Sequence, residues 1–91
     1  MAQIVAQFDV TGFTPQQYSK TLKDLDSAGL GHPKGRLYHI AIQKGKGMLV
    51  TDVWESEKAL DDFSKTLVPI LEKNGVTPAK PTLLPVYNIL M

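Results

Sequence analysis

Apolar and polar residues alternate from Gln3 to Val10: Ile4, Ala6, Phe8 and Val10 fall on one side, Gln3, Val5, Gln7 and Asp9 on the other. That is the two-residue period of a strand with unlike faces. The next segment changes period. Thr14 stands where an N-cap belongs, Pro15 at the first helical position and Gln17 where a capping box needs it, with Phe13 and Tyr18 placed as a hydrophobic staple. Tyr18, Leu22, Leu25 and Ala28 then recur at helical spacing before Gly29, which predicts a helix from Pro15 to Ala28. After the loop "GLGHPKG", the stretch "GRLYHIAIQKGKGMLVTDVWES" reads as two strands joined at Gly45 and Lys46. Ser56 caps a second helix, Glu57 to Asn74, with a stripe of Leu60, Phe63, Leu67, Ile70 and Leu71. Pro69 interrupts that stripe and predicts a kink or restart near Lys65 to Leu67. Thr82 to Leu90 form a last strand, where Pro85 is tolerable only on an edge.

The order βαββαβ predicts an α+β, ferredoxin-like fold: a four-stranded antiparallel sheet with two helices on one face and the last strand on an edge. A two-residue turn at Gly45 and Lys46 sets Lys44 against Gly47, Gln43 against Met48, Ala41 against Val50, His39 against Asp52 and Leu37 against Trp54. The alternate set, Tyr38, Ile40, Ile42, Leu49, Thr51 and Val53, is apolar enough to pack under the helices. The helix-free face would then carry Val5, Gln7 and Asp9, Leu37, His39, Ala41, Met48, Val50, Asp52 and Trp54, with Leu84, Val86 and Asn88. Such a half-apolar face holding a tryptophan predicts an interface, and a second copy is the economical cover: a homodimer through the helix-free sheet face.

Composition narrows the partners. Ninety-one residues make one domain, 1–91, and a chain of this length buries only about 60 to 65% of its unfolded surface, so its core is thin. Ten Lys and Arg against nine Asp and Glu, without runs, leave no basic stripe for nucleic acid and no polybasic membrane anchor. No segment approaches the roughly 20 apolar residues of a membrane helix. The chain has no cysteine, and "MAQIVAQFDV" does not read as a signal peptide, so a cytoplasmic protein is expected.

The candidate chemistry centres on His39 and Asp52, for which two readings stand. They are a hydrogen-bonded pair that satisfies two polar groups at an interface, or a base and its orienter, the carboxylate fixing one imidazole tautomer for proton abstraction from an acidic carbon or phenol. Trp54 and Met48 are either core or the apolar walls of a substrate site, and Gln7 and Asn88 its hydrogen-bonding groups. His32 is either a solvated loop side chain or a group reaching over a cavity mouth, with Lys34 or Arg36 meeting an anion. His32 and His39 lack any recognised metal-ligand spacing, so no metal is expected. "GLG" and "GKG" are turn chemistry rather than phosphate cradles.

The strings "GHPKGRLYHIA", "VTDVWES", "LVPILEKNGV" and "LPVYN" together resemble the antibiotic-biosynthesis-monooxygenase-like group of the dimeric α/β-barrel superfamily, over almost the whole chain. The resemblance implies a homodimer whose back-to-back sheets form a barrel, and a cavity for a small organic molecule either between sheet and helices or inside the barrel. It implies relatives that include cofactor-independent oxygenases, haem-degrading enzymes and isomerases, so the fold underdetermines the activity. The haem-degrading branch ligates iron through a histidine late in the second helix; Glu57 to Asn74 contains none, and no cofactor is expected. Trp54 matches a strand-end tryptophan common in the superfamily. Three function classes follow: a cofactor-free monooxygenase or isomerase acting on a small aromatic or enolisable compound, a non-catalytic ligand-binding or sensing protein, and a structural association module.

Overall fold

The computed structural model describes residues 3–90; Met1, Ala2 and Met91 of the expected 1–91 domain lie outside the described residues. The elements are β1 (Ile4–Val10), α1 (Pro15–Ser27), β2 (Arg36–Lys44), β3 (Gly47–Trp54), α2 (Glu57–Lys73) and β4 (Thr82–Pro85). They form one antiparallel sheet in the order β2-β3-β1-β4. This is the ferredoxin-like arrangement, with β4 on an edge.

The local signals account for the element ends. Thr14 Oγ1 accepts from the Gln17 backbone N–H at 3.1 Å and Gln17 Oε1 from the Thr14 N–H at 3.0 Å, closing the capping box. Phe13 and Tyr18 meet edge to face with ring centroids 5.8 Å apart. Ser56 Oγ caps α2 by accepting from the Ala59 N–H at 3.2 Å. Contrary to the expected restart, α2 runs as one helix through Pro69. Pro69 falls in its last turns, and Phe63, Leu67, Ile70 and Leu71 pack on the core on both sides of it, holding the chain across the missing donor. The last strand stops at Pro85 instead of Leu90, because β4 has a neighbour on one side only and its pairing to β1 ends at Ile4 opposite Pro85.

The hairpin register is as the turn predicts from Lys44 opposite Gly47 through His39 opposite Asp52. Gly45 takes the positive φ (57°) that a primed two-residue turn needs at its first position. Gly47 is glycine for a different reason: a Cβ there would run into the Val10 carbonyl oxygen of β1. At the other end the register slips. A β-bulge between Arg36 and Tyr38 puts Arg36, not Leu37, opposite Trp54.

The face assignment needs correction. β1 pairs with β3 so that Ile4, Ala6, Phe8 and Val10 stand opposite Trp54, Asp52, Val50 and Met48, which places all eight on one face. That face lies under the helices: Ala6 and Trp54 pack with Leu25 of α1 and Leu60 and Phe63 of α2, while Val10, Met48 and Val50 pack with Phe13 and Val76. His39 and Asp52 therefore belong to the helix side of the sheet, and Trp54, Val50 and Met48 are not on the helix-free face. The hairpin turn fixes β2 against β3, but β1 reaches β3 only through α1 and β2, and a one-residue change in that pairing transfers every β3 side chain to the other face. The helix-free face instead shows Tyr38, Ile40, Ile42 and Leu84, each at least 39% exposed.

Candidate functional site between sheet and helices

A cavity of about 320 Å³ opens between the sheet and the two helices, with walls drawn from both core clusters, among them Phe8, Leu25 and Phe63 from one and Val10, Phe13 and Val50 from the other. Its lining is mainly apolar. The exceptions are Tyr18 and Thr21 from α1, Arg36 and His39 from β2, Asp52 from β3, and Asp61 and Ser64 from α2.

Three of these form a chain of hydrogen bonds. His39 Nδ1 lies 2.5 Å from Asp52 Oδ1, and His39 Nε2 lies 2.6 Å from the Tyr18 hydroxyl. A carboxylate only accepts, so Nδ1 carries the hydrogen, and Nε2 of the neutral ring accepts from Tyr18. The Asp52 side chain is 6% exposed and that of His39 21%, which places the carboxylate behind the ring and the ring at the cavity. Burial pushes the Tyr18 hydroxyl above the ordinary phenol range; the Arg36 guanidinium opposes that shift and the Asp52 carboxylate adds to it. The hydroxyl thus keeps its hydrogen and serves as donor to Nε2. The Tyr18 and His39 ring planes lie within 5° of each other. The arrangement is a hydrogen-bonded chain of carboxylate, imidazole and phenol on the wall of a mainly apolar cavity.

Of the residues expected at a site, the structure brings His39 and Asp52 together here. Trp54 is fully buried behind Phe63, ring centroids 5.2 Å apart, and does not line the cavity. Met48 is buried against Val10, Phe13 and Val76, also outside the lining. Gln7 is exposed and pairs with Thr51 and Thr82 on the helix-free face, Asn88 is exposed beyond β4, and His32 is exposed in the loop before β2. The sequence placed Tyr18 in the staple and on the apolar stripe of α1, not at the site. The signal for more was present: a tyrosine on an apolar helix stripe has a hydroxyl that needs a partner once packed. A second hollow of about 330 Å³, lined by Pro33, Lys34, Ser56 and Lys58 among others, holds no comparable hydrogen-bonded set.

No protein-family profile and no curated protein matches the sequence. Solved structures do match. SnoaB, a cofactor-independent oxygenase from Streptomyces nogalater, superposes with a TM-score of 0.65 at 11% identity, over 99% of this chain and 98% of that one. A protein provisionally named an antibiotic biosynthesis monooxygenase from Chloroflexus aurantiacus gives 0.59 at 12% identity, over 98% and 95% of the two chains. Another so named from Deinococcus radiodurans gives 0.59 at 14% identity, over 98% and 96%. The chain is thus similar over nearly its whole length to antibiotic-biosynthesis-monooxygenase-like proteins, and identities this low establish a shared fold. Among the described residues, no helix is long and apolar enough to cross a membrane.

Proposed function

We propose, from the fold shared with antibiotic-biosynthesis-monooxygenase-like proteins, that this chain takes a small aromatic or enolisable compound into the cavity between sheet and helices and removes a proton from it without a cofactor. The observation that carries this reading is the Asp52–His39–Tyr18 relay on the cavity wall. The ligand's acidic hydrogen passes to the Tyr18 oxygen as the Tyr18 hydrogen passes to His39 Nε2, and the Asp52 carboxylate stabilises the imidazolium that forms. The enolate left behind has two outlets. Reprotonation at another atom gives an isomerase. Reaction with dioxygen turns a ring CH2 into C=O and releases water, the monooxygenase outcome, which the oxygenase name of SnoaB supports.

Deuterium exchange tests the shared first step. With 2-tetralone, whose C1 hydrogens are acidic, the protein in deuterium oxide is expected to accelerate loss of the C1 proton signals. Binding with no acceleration would leave a ligand-binding protein and remove the enzyme.

The same reading includes a homodimer through the helix-free face, supported by Tyr38, Ile40, Ile42 and Leu84 standing exposed there. Sedimentation at micromolar concentration is expected to give twice the 10.0 kDa chain mass. Ile40→Lys puts an unpaired charge between the sheets, at a cost of about 3–5 kcal/mol for a charge buried without its partner, enough to release folded monomers. A monomeric wild type, or a variant that stays dimeric, overturns the interface.

A further inference from the structure

β2 breaks its alternation at Leu37, and the break changes what faces the cavity. Regular pairing would set Leu37 opposite Trp54, on the helix side with His39, and turn Arg36 to the helix-free face. The bulge between Arg36 and Tyr38 reverses this: Arg36 stands opposite Trp54 and lines the cavity, while Leu37 is left 43% exposed. Placing a guanidinium instead of a leucine on an apolar wall opposes folding. A bulge that re-aims a side chain at such a cost is a feature found beside functional sites.

The guanidinium is also under-used. It has five N–H donors. The contacts found for it among the described residues are one long hydrogen bond, Nη2 to the Gly31 carbonyl oxygen at 3.4 Å, and a position 5.9 Å over the Phe63 ring. No carboxylate among the described residues forms an ion pair with it. Of the two carboxylates on the cavity wall, Asp52 is committed to His39 and Asp61 is exposed. A half-buried, unpaired cation beside an apolar hollow has the donors for a planar oxyanion and a wall for the body that carries it.

We infer that Arg36 anchors an oxyanion on the cavity's ligand, so that the compound taken is a small, apolar, ring-bearing acid rather than a neutral molecule of the same shape. This rests on the reading of the cavity as a small-molecule site and adds the ligand's charge and its seat. The anionic group lies against β2 at the bulge, and the apolar body extends along Phe8, Leu25 and Phe63 toward Tyr18.

The probe pair is 2-naphthoate and 2-naphthamide, alike in shape and different in charge, titrated calorimetrically at neutral pH. The wild type is expected to bind the carboxylate about 10- to 100-fold more tightly than the amide, the range of one charge-assisted hydrogen-bond pair. Arg36→Gln is expected to bring the two affinities together, and Arg36→Lys to keep part of the preference, through a point charge without the planar fork. The wild-type comparison and the lysine variant decide the matter even if Arg36→Gln fails to fold. Equal wild-type affinities overturn the inference and leave the small-molecule reading standing. A preference that survives Arg36→Gln overturns the assignment to Arg36. If neither probe binds, the cavity reading fails and this inference with it.

Discussion

His39→Ala is expected to exchange the C1 hydrogens of 2-tetralone about 10² to 10⁴ times more slowly than the wild type, the range over which a positioned general base contributes. The ring is the only member of the relay that both receives a hydrogen bond and passes one on: Nε2 takes the Tyr18 hydroxyl and Nδ1 gives to Asp52. Asp52→Asn probes the same step from behind. The asparagine amide can donate to Nδ1, which moves the ring hydrogen to Nε2 and takes away the lone pair facing Tyr18. A loss comparable to that of His39→Ala is expected, with the fold retained by circular dichroism. Equal exchange rates in wild type and His39→Ala would take the base out of the scheme and return the pair to a structural role.

The largest effect on stability is expected at Trp54. Its side chain is fully buried, against Phe63 and within the cluster of Ala6, Leu25 and Leu60. Truncation to alanine is expected to remove about 3–5 kcal/mol, a large share of the roughly 5–15 kcal/mol that holds a domain together. The indole N–H is buried with no hydrogen-bond partner among the described residues, so Trp54→Phe loses volume but no bond. Urea denaturation should therefore rank the three proteins as wild type, then Trp54→Phe close behind, then Trp54→Ala far below. An unchanged midpoint for Trp54→Ala would mean the cluster does not hold the sheet to the helices.

What the sequence made legible was local. The capping box and staple of α1, the Ser56 cap and the Gly45 turn depend on residues at most a few positions apart, and each forms as its spacing predicts. The pairing of His39 with Asp52 followed from that turn. What stayed hidden depended on distant partners. Both faces of the β2–β3 hairpin are apolar enough to be core, so pattern alone could not say which one the helices cover; the pairing of β1 with β3 decides it. The bulge at Leu37 was not readable from the pattern, so Arg36 was expected only as a group meeting an anion at a cavity mouth, and its position opposite Trp54 on the cavity wall stayed hidden. Tyr18 needed the same long-range information, since its partner His39 lies 21 residues away on a different element.

The chain's one tryptophan sits where it never meets water, one aromatic ring removed from the cavity. Indole emission shifts to the blue in apolar surroundings and responds to the ring packed against it, so this protein carries a single indole whose colour reports an intact core. Phe63 touches Trp54 on one side and lines the cavity on the other. A molecule bound in that space is expected to change the emission of Trp54 through Phe63, with no label added.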